Sequence, residues 1–193
     1  MSWAAIPVTA AWSHLDARSG FEVVYLHTVG TGYRIEGCTT AVEDGRTWIV
    51  EYEITLDADW FTRTARATGL SATGRRAVLL EADGAGHWLV DGAVAPHLDG
   101  CLDVDLESSA LTNALPVHRL ALPVGGRAAA PAAYLRTDDL SVMRLEQDYL
   151  RTSDQGAYQC YDYTAPAYGF ACRLTYDESG LVLSYPGIAV RVA

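Results

Sequence analysis

Polar and apolar residues alternate with a period of two along much of this chain. The clearest run sets Trp48, Val50, Tyr52, Ile54 and Leu56 against Glu51, Glu53, Thr55 and Asp57, the pattern of a strand with one buried face. Asp44-Gly45, just upstream, is a favoured hairpin turn, so residues at about 33–43 are expected to pair antiparallel with this run. Asp57-Ala58-Asp59 reads as a second tight turn returning the chain from Trp60 to Gly69, with Glu53 opposite Arg63 and Tyr52 opposite Thr64. Residues 75–82 and 86–91 form a further hairpin across Asp83-Gly84-Ala85-Gly86.

Downstream, runs rich in tyrosine and β-branched residues predict strands at about 132–137, 141–151, 157–164, 169–176 and 181–192. Asp177-Glu178-Ser179-Gly180 supplies a turn between the last two. Residues 124–132, rich in glycine and alanine, read as a long loop. No helical period lasts beyond two turns, and residues 107–114 are the best candidate for a short helical turn. Turn signals recurring roughly every 8–12 residues predict an all-β, mostly antiparallel fold with little helix.

Cys101 to Leu122 carries the densest chemistry. Alternation puts Asp103 and Asp105 on one face of a strand and Leu102, Val104 and Leu106 on the other. A turn at Thr112-Asn113 and an extended Leu115-Pro116 step then predict a second strand carrying His118 and Arg119. Carboxylates two residues apart on a strand stand about 6.6–6.8 Å from one another. In a dry cavity they would raise each other's pKa and suit acid–base work, or a network with Arg119. On a wet face they are ordinary solubilising charges, and the pattern alone favours the wet face. Asn113 beside a proline step also reads as a turn-forming amide, and His118 as a half-buried strand residue.

At 193 residues the chain fits a single domain, 1–193, large enough to bury a core without disulfides. Half of its residues are hydrophobic, which excludes disorder. A formal charge of -10 argues against nucleic acid and anionic membrane surfaces as partners, since both need a basic face. All fourteen basic residues are arginine, a mark of GC-rich, bacterial-type codon usage rather than of function. Residues 1–15 lack a basic leader and are interrupted by Pro7 and His14, so they make a poor signal peptide. No run approaches the roughly 20 apolar residues of a spanning helix. A soluble, cytoplasmic protein without integral membrane association is expected.

Cys38, Cys101, Cys160 and Cys172 have no Cys-x-x-Cys spacing, which argues against zinc and for buried thiols, although Cys160 and Cys172 fall where a hairpin could bring them together. There is no Gly-x-Ser-x-Gly elbow, phosphate-cradling loop or His-x-x-x-His pair, so neither cofactor nor metal is expected. Oligomeric state is not legible. Five Trp and eleven Tyr are many for this length, with Trp60, Tyr149, Tyr158, Tyr161, Tyr163 and Tyr185 in expected strands. Such rings suit stacking on sugars or amphipathic ligands, and they equally suit a sheet core.

Over nearly its full length the chain resembles the putative glycolipid-binding family, formerly a family of unknown function. The resemblance rests on Gly20-Phe21-Glu22, on Tyr52 followed by Asp57-Ala58-Asp59-Trp60-Phe61-Thr62-Arg63, and on Gly86-His87-Trp88. It continues through Cys101-Leu102-Asp103-Val104-Asp105-Leu106 and Leu111-Thr112-Asn113-Ala114-Leu115-Pro116-Val117-His118-Arg119-Leu120. Gln147-Asp148-Tyr149, Tyr161, Asp177-Glu178-Ser179-Gly180-Leu181-Val182 and Tyr185-Pro186 complete it. The resemblance implies a curled sheet, a β-roll or incomplete barrel around an apolar cavity, with a lipid-like or glycolipid-like ligand. Ser109-Ala110-Leu111 stands where the family has Thr-Pro-Phe, which implies a looser loop and a wider cavity mouth.

The leading expectation is therefore a protein that holds a hydrophobic or amphipathic small molecule. Asp103, Asp105, Asn113 and Arg119 would bond a polar head, and Trp60 and Arg63 would stand at the mouth or support it. By the same resemblance Gln147, Tyr149 and Tyr161 are ligand-binding candidates. The same polar residues could instead brace the 107–116 connection. The alternative is a cofactor-independent enzyme that isomerises, cyclises or hydrolyses an apolar metabolite, with Asp103 or His118 as acid–base group.

Overall fold

The computed structural model describes residues 3–16 and 18–193. Six long strands form an up-and-down meander: β1 (Thr9–His14), β2 (Ser19–Val29), β3 (Gly32–Glu43), β4 (Arg46–Leu56), β5 (Thr62–Ser71) and β6 (Gly74–Ala82). Two short strands, β7 (Trp88–Val90) and β8 (Ala93–Val94), finish it, and β9 (Asp103–Leu106) leads to the one α-helix of the described residues, α1 (Ala114–Leu120). The chain then forms β10 (Arg127–Ala129), β11 (Ala132–Leu135), β12 (Val142–Leu145) and β13 (Asp148–Arg151). It ends with β14 (Gln159–Ala165), β15 (Phe170–Tyr176), β16 (Val182–Tyr185) and β17 (Ala189–Arg191).

Fourteen strands join in one sheet, ordered β10-β13-β14-β15-β16-β17-β1-β2-β3-β4-β5-β6-β7-β8. The sheet curls without closing, and β8 and β10 are its edges. A second sheet, β12-β11-β9, pairs β9 parallel with β11 and β11 antiparallel with β12. All four residues of β9 and of β11 are buried, as befits strands covered on both faces. Between Cys101 and Val117 only Leu102 and Glu107 reach partial exposure. A strand, a turn of 3₁₀-helix (Leu111–Asn113) and the start of α1 are thus packed inside the molecule.

Alternation dictates the meander. On β4, Trp48, Val50, Tyr52, Ile54 and Leu56 point into the core while Glu51 and Glu53 face solvent. Asp44 and Gly45 both have positive φ (50° and 74°), as the two-residue hairpin requires. The β4–β5 register differs from expectation: Glu53 lies opposite Arg66 and Tyr52 opposite Ala67. The reason is a longer turn, in which Asp57 Oδ1 accepts the N–H groups of Asp59 and Phe61 at 3.0 Å each. Trp60 adopts φ 68° within it, and β4 and β5 shift register at Thr55/Leu56.

The expected second strand after Pro116 is instead α1, so His118 and Arg119 are helical. Pro116 is tolerated because it sits in the first turn, where N–H groups have no intrahelical acceptor. Residues 124–132 are not wholly loop either, since β10 forms there and pairs with β13. Cys160 lies opposite Thr175 and Cys172 opposite Tyr163, and all four cysteines are free.

Gly37 on β3 lies opposite Tyr52, and a Cβ added there would land on the buried Tyr52 ring. Gly37→Ala should therefore lower stability by about 1–3 kcal/mol, the usual effect of overpacking a core. Equilibrium urea unfolding measures it; a change under about 0.5 kcal/mol would show that the ring relaxes freely.

Candidate functional site

Three buried acids organise the interior. Glu22 on β2 is fully buried, in phase with inward-facing Val24 and Leu26. Its carboxyl accepts the Tyr52 hydroxyl (2.6 Å), the Ser109 hydroxyl and the backbone N–H groups of Ala110 (2.7 Å) and Leu111 (3.4 Å). Burial raises its pKa, and those hydrogen bonds oppose the rise. Glu22 thus ties the 109–111 turn to the curled sheet. Ala110 and Leu111 are 1% and 0% exposed, so the loop that lacks the family's proline and aromatic is pinned rather than loose.

Asp103 and Asp105 are buried, not solvent-facing as alternation alone favoured. Because β9 lies inside the curl, even its polar face is dry. Asp103 is sealed in a bidentate pair with Arg119, Nε to Oδ1 at 3.0 Å and Nη2 to Oδ2 at 2.6 Å. Burial still pushes the Asp103 pKa up against the pull of that guanidinium. Asp105 has no cation partner. It accepts the Thr112 hydroxyl at 2.8 Å and the Gln147 amide N–H, both neutral. Burial raises its pKa to about 6, with Asp103 and Glu107 adding to the rise.

Asp105 and Asn113 open onto a cavity of about 210 Å³. Its wall comes from five aromatic residues: Tyr134 on β11, Tyr163 on β14, Tyr168, Phe170 on β15 and Tyr185 on β16. Tyr163, Phe170 and Tyr185 pack edge to face, with ring centroids 6.0 to 6.2 Å apart. Leu145, Ala165 and Ile188 add aliphatic surface, and Arg18 also lines the cavity. Asn113 is held from behind: its Oδ1 accepts the Tyr149 hydroxyl and its carbonyl the Tyr176 hydroxyl, both at 3.0 Å. Burial raises the pKa of the Tyr163 and Tyr185 phenols, so both are neutral donors in the physiological range.

The remaining sequence candidates lie elsewhere. Gln147 and Tyr149 support Asp105 and Asn113 without lining the cavity. The Tyr161 hydroxyl donates to Gln159. Arg63 is exposed and clamps two turns, pairing with Asp57 at 2.9 Å and donating to the Asp83 carbonyl. Trp60 is stacked on His118, ring centroids 3.7 Å apart and 5° from parallel. Both line a separate depression with Trp3 and Tyr33, and burial lowers the His118 pKa to about 4. Neither His118 nor Asp103 reaches the cavity, and Asp105 is the buried acid that does. Of the aromatic wall, Tyr163 and Tyr185 stand among the strand tyrosines that the sequence marks as suited to a ligand, whereas Tyr134, Tyr168, Phe170 and the acid Glu22 do not stand out. A strand with apolar residues on both faces hides Glu22, and only its place in the Gly20-Phe21-Glu22 motif signals it.

Among the described residues, no group of three or more His, Cys, Asp or Glu could hold a metal ion. No helix of the described residues is long and apolar enough to cross a membrane.

A curled, open, mostly antiparallel sheet wrapped around a buried strand and helix defines a β-barrel-like protein. The chain belongs to the putative glycolipid-binding family, whose model matches residues 9–191. It is similar to a DUF1089 family protein of Pseudomonas aeruginosa, 31% identical over 100% of this chain and 98% of that one, with a TM-score of 0.77. A beta-barrel-like protein of the domain of unknown function DUF1849 from Brucella abortus shares the fold, at a TM-score of 0.55. That protein is 12% identical over 98% of this chain and 96% of its own. No curated protein matches the chain.

Proposed function

We propose that this protein binds one small amphipathic molecule in the cavity between β9, β11 and β14–β16. The carrying observation is the polarity of the cavity: Asp105, Asn113 and Ser109, with Arg18 and Glu107, sit together in a wall that is otherwise aromatic and aliphatic. An apolar pocket with a few convergent polar groups is the usual form of a small-molecule site. The polar end of the ligand would meet Asp105 and Asn113, and its apolar part would pass Tyr163, Phe170 and Ile188. At about 210 Å³ the enclosed space is smaller than the range of roughly 300–1,000 Å³ that takes a drug-sized molecule. It therefore suits one end or one chain of a lipid-like ligand rather than a whole glycolipid with two chains. Family membership supports a lipid-like class. Asp103 and Arg119, sealed against each other, would hold the frame instead of touching the head.

Native mass spectrometry of protein purified from its own host should show a bound amphiphile in the wild type. Ile188, half-buried at the cavity wall, offers a block. Ile188→Trp should reduce occupancy at least about tenfold while the melting temperature stays within roughly 2 °C of wild type. Equal occupancy in both proteins would place the ligand elsewhere.

A further inference from the structure

Asp105 is the one acid of the cavity wall whose carboxyl is both buried and without a cation. Its two oxygens accept from a hydroxyl and an amide, Thr112 and Gln147. The charged groups that act on it are two more carboxylates, Asp103 and Glu107. Asp103 has its own counter-ion in Arg119, and Glu107 accepts the Thr137 N–H. Arg18 lines the cavity but is committed elsewhere: Nη1 donates to the Glu107 carbonyl at 3.2 Å, Nε lies 3.7 Å from Glu43, and the guanidinium sits 5.5 Å from the Trp48 ring centroid. The rest of the wall is largely neutral phenol, phenyl and aliphatic surface.

A desolvated carboxylate without a counter-ion, surrounded by aromatic rings, has one natural complement. Aromatic faces attract ammonium groups, and the attraction grows when water is excluded. A cation beside Asp105 would supply the charge-assisted bond that Thr112 and Gln147 do not. An anionic head would meet the Asp105 and Glu107 carboxylates, and the Arg18 guanidinium on the same wall is already engaged by Glu107 and Glu43, so like-charge repulsion opposes it. From this we infer that the polar end of the ligand is an organic cation, a protonated amine on an apolar chain, seated against Asp105 among Tyr134, Tyr163 and Tyr185. The inference rests on the binding reading above and narrows it from amphiphiles in general to cationic ones.

Titration calorimetry with octylammonium, 1-octanol and octanoate tests it, since the three share one chain and differ in head. In the wild-type protein at pH 7.5, octylammonium should bind at least about tenfold tighter than octanol, the factor that about 1.4 kcal/mol of charge-assisted bonding supplies. Octanoate should bind weakest. Asp105→Asn should bring octylammonium and octanol within about threefold of each other. At pH 5, below the Asp105 pKa of about 6, the amine keeps its charge while the carboxyl loses its own, so octylammonium should weaken and octanol should not. Should Asp105→Asn fail to fold, the wild-type series and its pH dependence decide alone. Octanol equal to octylammonium, or octanoate tightest, overturns the cationic head but leaves the binding reading standing. Failure of all three chains to bind folded wild-type protein overturns both.

Discussion

Glu22→Ala should destabilise the protein by about 3–4 kcal/mol, enough to lower its melting temperature by roughly 6–16 °C. The substitution removes the acceptor for the Tyr52 and Ser109 hydroxyls and for the Ala110 and Leu111 N–H groups, all of them buried. Each buried donor left without a partner costs about 1–3 kcal/mol. Glu22→Gln should lose much less, because the amide oxygen can keep the Ala110 and Leu111 N–H bonds while the Tyr52 and Ser109 hydroxyls turn to accept from the amide nitrogen. Burial already favours the protonated form of Glu22. The sign of the pH effect follows: a carboxyl with a raised folded pKa contributes its full stability at low pH and loses it as pH rises through that pKa. Wild type minus Glu22→Gln should therefore show stability falling with rising pH. His14 and His118 act oppositely, since burial lowers both to about 4 and their contribution is lost as pH falls from 6.5 towards 4. The difference curve cancels the histidines and isolates Glu22. An Ala variant within about 1 kcal/mol of wild type by urea unfolding would mean that the 109–111 turn does not depend on this acid.

Arg119→Ala should cost about 3–5 kcal/mol, because it strands a buried carboxylate. The side chains of Arg119 and Asp103 are only 8% and 2% exposed, so water cannot stand in for the lost guanidinium. Arg119→Met should cost a similar amount, and adding Asp103→Leu to it should restore at least half of that loss, since a well-packed apolar pair can replace a buried ion pair. The same loss should shrink as pH falls, because the stranded Asp103 can take up a proton. Chemical denaturation of the two singles and the double at pH 7.5 and pH 5 measures all of this. Additive losses in the double would show that the residues act independently.

The sequence made the meander legible because its strands obey one rule: on β4, every second residue from Trp48 to Leu56 goes inward. It misled on Asp103 and Asp105 for the same reason. Alternation separates two faces of a strand but does not say whether either meets water, and β9 has protein on both sides. The helix after Thr112 is hidden by Pro116, which marks extended chain in most contexts but fits the first turn of a helix equally well. The β4–β5 register depended on Asp57 capping two N–H groups, a side-chain bond that no periodicity encodes. At the site, Asp105 and Asn113 were legible through the family motif. The aromatic wall was legible only in part: Tyr163 and Tyr185 stand out as strand tyrosines, but Tyr134, Tyr168 and Phe170 look like ordinary residues until the curl brings β14, β15 and β16 around β9.

The pairing of β1 with β17 has a kinetic consequence. It seams the two halves of the large sheet, and the Trp12 indole N–H donates across it to the Val182 carbonyl, 170 residues away in sequence. The segment carrying Asp103, Asp105 and Asn113 lies between those halves in the chain and inside them in space. Joining β1 to β17 closes a loop of nearly the whole chain, which costs more chain entropy than any hairpin of the meander. Contacts remote in sequence form more slowly than local ones, so this seam forms more slowly than the hairpins on either side of it. Among the described residues Arg18, between β1 and β2, is the one part of the cavity wall that comes from the meander, so the wall is complete only once the two halves are joined.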